Sequence, residues 1–147
     1  IPRGKSNYFL TFLNYLAFIV FGIIFGLIKL KKKKYDFILV FASSPIYQIF
    51  VGYAFKLFKK SKLITWVQDL WPENLIALNI VRNKFLISII NYLTSITYNL
   101  NDILIGQSKS FKTILKKRSN KKIFYIPNYA ENFNKKKIKK KTNKKFT

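Results

Sequence analysis

The 147-residue chain is 50% hydrophobic and 18% aromatic, enough for one domain with a core and too short for two ordinary ones. It has no Cys and no His, which excludes a disulfide framework, a thiolate zinc site and a cysteine nucleophile. Any acid–base or metal chemistry is left to five carboxylates, Asp36, Asp69, Glu73, Asp102 and Glu131. The formal charge of +23 suggests nucleic acid or an anionic membrane, but every basic residue except Arg3, Arg82 and Arg118 is Lys. Lys, Asn, Ile, Phe and Tyr, all abundant, are residues of AT-rich codons. The charge by itself names no partner, and the scarcity of Arg weighs against nucleic acid.

The chain begins at Ile1 and contains no Met, so it reads as a fragment; no cleavage pattern of a signal peptide follows the first apolar run. That run, Tyr8 to Leu30, is broken only by Thr11, Asn14, Gly22, Gly26 and Lys29, and Lys31–Lys34 follow it. Phe9 to Ile28 has the length of a membrane span, about 20 residues. The Lys flank would be cytoplasmic. A helix docked in the membrane surface and a long helix of a soluble domain fit the same residues. Gly22 and Gly26 form a GxxxG spacing.

Tyr35–Ala42 (YDFILVFA) predicts a strand buried on both faces, and Ser43-Ser44-Pro45 a turn leading into a helix over Ile46–Lys60. Leu63–Gln68 predicts a second strand, and Asp69–Glu73 (DLWPE) a loop ending at a short helix. A break at Asn79–Asn83 precedes a long helix over Lys84–Leu100. Asp102–Gly106 is a third strand, Ser108 caps a helix through Lys117, and Ile123–Ile126 is a fourth strand stopped by Pro127-Asn128. Residues 135–147, with eight Lys, read as a solvated, disordered tail. Strands alternating with helices predict an α/β fold: a Rossmann-like parallel sheet with helices on both faces, within a domain spanning residues 1–134.

Ligands of such sheets bind beyond the carboxyl ends of the strands. Three of the five acids, Asp69, Glu73 and Glu131, fall in those segments, beside Ser43, Ser44, Gln68, Trp71, Ser108 and Asn128; Asp36 and Asp102 fall at strand starts. Carboxylates accept hydrogen bonds from vicinal diols, so the Asp69/Glu73 pair suits a sugar. Each residue also has a structural reading. Asp69 suits a cap, Glu73 a helix first turn, Trp71 packing, Ser108 an N-cap and Asn128 a turn. There is no glycine-rich nucleotide loop and no metal-ligand cluster.

The string WVQDLWPENL at 66–75, with PRGKSN and LNYLAF near the start, FASSPI at 41–46, ILIGQSKSF at 103–111 and YIPNYAENF at 125–133, resembles bacterial family 4 glycosyltransferases. Within them it is similar to the L-fucosamine and N-acetylaminosugar transferases of O-antigen and capsule synthesis. The similarity runs in order over residues 2–134, and DLWPE followed by PN-x-A-E is its most specific part.

The resemblance implies the GT-B fold of two Rossmann-like domains, of which this chain would be most of the acceptor-side N-terminal one. The opening strand with its glycine-bearing loop would precede Ile1. The domain holding the nucleotide-sugar donor would follow residue 134, so the fragment would be inactive alone. The implied reaction is a retaining transfer of a sugar from a nucleotide donor to a polyprenyl-pyrophosphate-linked acceptor, with no cofactor or metal assigned here.

By the same resemblance Asp69 and Glu73 would orient sugar hydroxyls as the catalytic pair, and Gln68, standing where many members have His, would line the cleft. Asn128 and Glu131 would approach the acceptor. Ser43 and Ser44 would donate to a pyrophosphate or sugar oxygen, with Trp71 and Ser108 as further substrate-side residues. The apolar run and basic surface would dock on the anionic cytoplasmic leaflet of the inner membrane. A small, non-catalytic, membrane-anchored basic protein is the competing reading.

Overall fold

The computed structural model describes residues 8–129; Glu131 and the Lys-rich segment 135–147 lie outside the described residues. The Pro-free apolar run forms helix α1, Tyr8–Lys29. Its end is satisfied from a distance: Lys59 Nζ donates to the carbonyls of Leu30 (2.7 Å) and Lys31 (2.8 Å) just past the last turn. Strand β1 is Phe37–Ala42. A single 3-10 turn over Ile46–Gln48 leads into α2, Ile49–Lys59, whose last turn holds Lys56 and Lys59 against the helix dipole.

Strand β2, Lys62–Val67, is followed by the short α3, Glu73–Ala77. The break at Asn79–Asn83 ends in a cap: Asn83 Oδ1 accepts from the amides of Phe85 (2.9 Å) and Leu86 (3.2 Å), starting α4, Lys84–Asn99. Strand β3 is Ile103–Gly106, α5 is Lys109–Arg118, and β4 is Lys122–Tyr125.

The four strands are all parallel in the order β1-β2-β3-β4, with Phe41, Trp66, Ile105 and Phe124 in one row across the sheet. This is the α/β, Rossmann-like sheet with flanking helices that the sequence predicts. The expectation of helices on both faces is not met among the described residues. Strand order equals chain order, so right-handed crossovers that all step in one direction deliver every helix to the same side.

Ala42, Leu63, Val67 and Leu104 are fully buried on that side with Ile46 and Ile49 before and within α2, Tyr98 of α4 and Leu115 of α5. The alternate residues face away, and Phe37, Leu39 and Phe41 remain 59, 62 and 56% exposed.

Two close approaches fix the helices. Gly52 lets α2 press on the sheet, since a Cβ there would stand 2.5 Å from Val40 Cγ2 and 2.8 Å from Leu63 Cδ1. The GxxxG pair is a packing stripe within the fold: a Cβ at Gly26 would meet Phe55 Cζ at 2.6 Å, and one at Gly22 would meet Val51 Cγ2 at 3.3 Å. Helix α1 therefore runs alongside α2 in the same direction. Below the core, Thr65 Oγ1 donates to Asn101 Oδ1 (2.5 Å), and Asn101 Nδ2 donates to the carbonyls of Thr97 and Tyr98 at the end of α4.

At the opposite edge from the strand ends, Asp102 accepts the Leu63 amide (2.7 Å) and pairs with Lys56 Nζ (2.9 Å). Burial pushes its carboxyl up, but the hydrogen bonds from Lys56 and Leu63 and the charges of Lys56 and Lys121 outweigh that and hold it below the ordinary range. A depressed carboxyl contributes stability above its unfolded pKa and loses it as pH falls through the folded value. Urea unfolding of Asp102→Asn is therefore expected to show a flatter acid limb below about pH 4, with a loss near neutrality of about 0.5 kcal/mol because the pair is partly exposed. An acid limb identical to that of the parent would assign the pH response to other groups.

Candidate functional site at the strand ends

Parallel strands all finish on one edge, so the loops after β1, β2, β3 and β4 converge there. The register pairs Val67 with Gly106, which brings the next residues, Gln68 and Gln107, together. Gln107 Nε2 donates to the Gln68 carbonyl (2.7 Å), and Asn128 Nδ2 bridges Gln68 Oε1 (2.8 Å) and Gln107 Oε1 (2.6 Å). Gln68 Nε2 is buried and lacks a hydrogen-bond acceptor among the described residues. A buried amide donor left empty costs on the order of 1–3 kcal/mol.

Asp69, the next residue along, makes no hydrogen bond or ion pair with any described residue. The capping reading of Asp69 is thus not realised, since α3 has no side-chain cap.

On the β1 side, Trp71 Nε1 donates to Ser44 Oγ (3.0 Å), and the Trp71 ring meets Tyr47 edge-on at 5.6 Å. Gln48 Nε2 donates to the Ser43 carbonyl (2.9 Å) and closes that loop. The Ser44–Pro45 and Trp71–Pro72 peptides are both cis.

The structure does not place all of the sequence-predicted residues in this cluster. Both oxygens of Glu73 are held by Arg118, at 2.9 Å from Nη1 and 2.5 Å from Nη2, and Nη1 also donates to the Trp71 carbonyl. Glu73 thus fastens α3 and the Trp71 loop to the end of α5, with Arg118 the more buried partner. Burial pushes the nearby Tyr98 phenol far above its usual range; Arg118 lowers it and Glu73 raises it, and the hydroxyl stays neutral. Ser108 accepts the Phe111 amide (3.2 Å) and caps α5, which is its structural reading. Glu131 lies outside the described residues.

Three participants carried weak signals or none. Gln107 is legible from register once the strands are aligned. Arg118 stands out as one of three Arg among many Lys. Gln48 carries no signal in sequence.

Beside the cluster lies an apolar groove of about 850 Å³, walled by α1 (Phe12, Leu16, Ile19), by Tyr47 and Phe50, by Leu75 and Leu78, and by Ile80 and Leu93. Ser44 and Trp71 belong to both the groove and the polar cluster. Among the described residues no charged side chain lines it. Among the described residues no group of His, Cys, Asp or Glu is arranged to hold a metal.

Fold and site together define a Rossmann-like α/β domain with an amide-rich strand-end cluster and a separate apolar groove that Ser44 and Trp71 help to line. Comparison with family models, with curated proteins and with solved structures finds no match to this chain.

Proposed function

We propose that the chain is the acceptor-side part of a retaining glycosyltransferase that moves a sugar from a nucleotide donor to a polyprenyl-pyrophosphate-linked acceptor at the cytoplasmic face of a bacterial inner membrane. The donor's site would belong to a second domain, and this part alone would be inactive. The observation that carries the reading is the strand-end cluster of Gln68, Gln107 and Asn128, with the uncommitted Asp69 next to Gln68 in sequence. Neutral amides and one carboxylate form a donor and acceptor set suited to sugar hydroxyls. The motif resemblance supplies the class of reaction.

The membrane part of the proposal rests on α1, which is long and apolar enough to cross a bilayer, about 33 Å at 1.5 Å per residue. Its outer face leaves Phe21, Phe25 and Ile28 at 55, 56 and 65% exposure. The α/β body accompanies it along most of its length. Asn14 and Tyr15 share a recess with Ser44 and Gln48, and beyond the far end Lys59 reaches Leu30. A spanning α1 would carry the polar ends of the sheet into hydrocarbon, so in-plane docking is the favoured arrangement. The same outer face would also serve a non-catalytic membrane anchor, a reading that leaves the strand-end cluster without a role.

The test is transfer of labelled sugar to a polyprenyl-pyrophosphate-linked acceptor by the complete enzyme. Asp69→Asn is expected to lower turnover about 10- to 100-fold, the value of one or two hydrogen bonds to a charged group. Glu73→Gln is expected to act through stability, so its activity loss should track its unfolding. Turnover unchanged in Asp69→Asn would overturn the site.

A further inference from the structure

The segment after Pro72 is weakly anchored. Leu70 and Pro72 are buried ahead of it and Asn83 starts α4 behind it, but no residue from Glu73 to Arg82 is buried. None of the hydrophobic side chains packed against the core comes from these residues. The amides of Asn74, Ile76, Leu78, Asn79, Ile80 and Val81 all donate to carbonyls within residues 70–76, so these bonds hold the segment to itself. Local bonding with so little burial makes a part of a fold that opens at low cost.

Among the described residues, one side chain of the segment is fastened to the body by hydrogen bonds. Both oxygens of Glu73 are held by Arg118, at the end of α5. Trp71, just ahead of the segment, is tied separately to Ser44 and Tyr47.

Leu75, Leu78 and Ile80 of this segment and Phe12 and Leu16 of α1 are walls of one groove of about 850 Å³. Much of that apolar surface meets water, with Leu78 69% and Phe12 61% exposed. Water favours bringing two such walls together.

We propose that residues 73–82 are a hinged flap that closes on α1 and shuts the groove, and that the Glu73–Arg118 pair is the catch that holds it open. The joints are Pro72–Glu73 and Arg82–Asn83. Both lie at the ends of helices, where a hinge turns without breaking one. Closure buries Leu75, Leu78 and Ile80 against Phe12 and Leu16, while Trp71 stays with Ser44 and Tyr47. The movement needs no guest in the groove and does not depend on the reaction proposed above.

The chain has no Cys, so nitroxide labels attach only where Cys is introduced. Val20→Cys with Ala77→Cys puts one label on α1 and one on α3, both outside the lining of the groove. Double electron–electron resonance in detergent-free buffer is expected to show one main distance and a minor shorter one. Arg118→Met, which removes the catch, should raise the shorter population about fivefold or more. Adding Leu78→Ser, at a side chain already exposed, should lower it again by weakening the drive to close.

Hydrogen exchange of the parent chain decides the matter even if Arg118→Met does not fold. The amides of Ile76, Leu78 and Ile80 should exchange together, at least about 100-fold faster than those of Leu63 and Thr65 in β2. Exchange as slow as that of β2 would overturn the flap. So would a single distance unchanged by Arg118→Met, a broadening with no shorter population, or a shorter population that Leu78→Ser leaves as it is.

Discussion

Gly52→Leu is expected to lower the stability of the fold by about 2 kcal/mol or more, a large share of the 5–15 kcal/mol of an ordinary domain. The first carbon of any side chain at this position would stand 2.5 Å from Val40 Cγ2 and 2.8 Å from Leu63 Cδ1. Neither neighbour yields readily, because Val40 is β-branched within β1 and Leu63 is fully buried. Helix propensity works the other way, since replacing a mid-helix glycine gains about 0.5–1 kcal/mol. Overpacking costs about 1–3 kcal/mol even for a few methylenes, so the steric term wins.

Gly22→Ala makes a useful contrast. Its Cβ would lie 3.3 and 3.5 Å from the two Val51 methyls, and the two terms should nearly cancel. Urea titration followed by far-UV circular dichroism reads both. A Gly52→Leu midpoint equal to that of the parent would mean that α2 does not bear on the sheet at this point.

Replacing Phe21, Phe25 and Ile28 together by Ser is expected to release the chain from phosphatidylglycerol vesicles, by more than about 10³-fold in partitioning. The three lie along one face of α1, with the rings of Phe21 and Phe25 stacked at 5.8 Å. Each contributes about 1.5–3 kcal/mol if it leaves water for lipid. Their exposure in the fold means that the substitution should cost the folded state little.

What remains after substitution is the attraction of Lys for anionic lipid, about 1 kcal/mol for each residue near the surface, and salt should remove it. Cosedimentation at low and high salt separates the two contributions. Alkaline carbonate tests the arrangement further: an in-plane helix is released and a spanning one is retained. Undiminished binding of the triple variant at high salt would move the docking surface elsewhere, with the open face of Phe37, Leu39 and Phe41 the next to test.

The parallel sheet was legible because its strands are short apolar runs bounded by turn residues and alternating with helical stretches, and because Ser108 is a strong cap ahead of a helical pattern. The two-faced burial read from YDFILVFA was not met. Composition reports that both sides of a strand are apolar, but which sides are covered depends on the order of the strands and the direction of each crossover. The GxxxG spacing was visible in the sequence, but its use as a packing stripe against α2 was not, since spacing alone does not say whether a backbone comes near or which one.

At the site, topology alone brought Ser43, Ser44, Gln68, Asp69, Trp71 and Asn128 to one edge. The fate of Glu73 was hidden. Its partner Arg118 stands 45 positions later, and an ion pair at that separation leaves no local pattern. The Asn83 cap was similarly veiled, because the same Asn serves equally well as a loop residue.

The agreement between strand order and chain order has a kinetic consequence. Each new strand adds to the edge made by the one before it, so closure is met one connection at a time, the widest being residues 68–102 between β2 and β3. A chain emerging from the ribosome amino end first can lay down β1 with α2, then β2 against them, then β3 and β4, without waiting for distant residues. The strand-end cluster is assembled last, because Asn128, which bridges Gln68 and Gln107, follows β4. Completion of the site is thereby coupled to completion of the sheet.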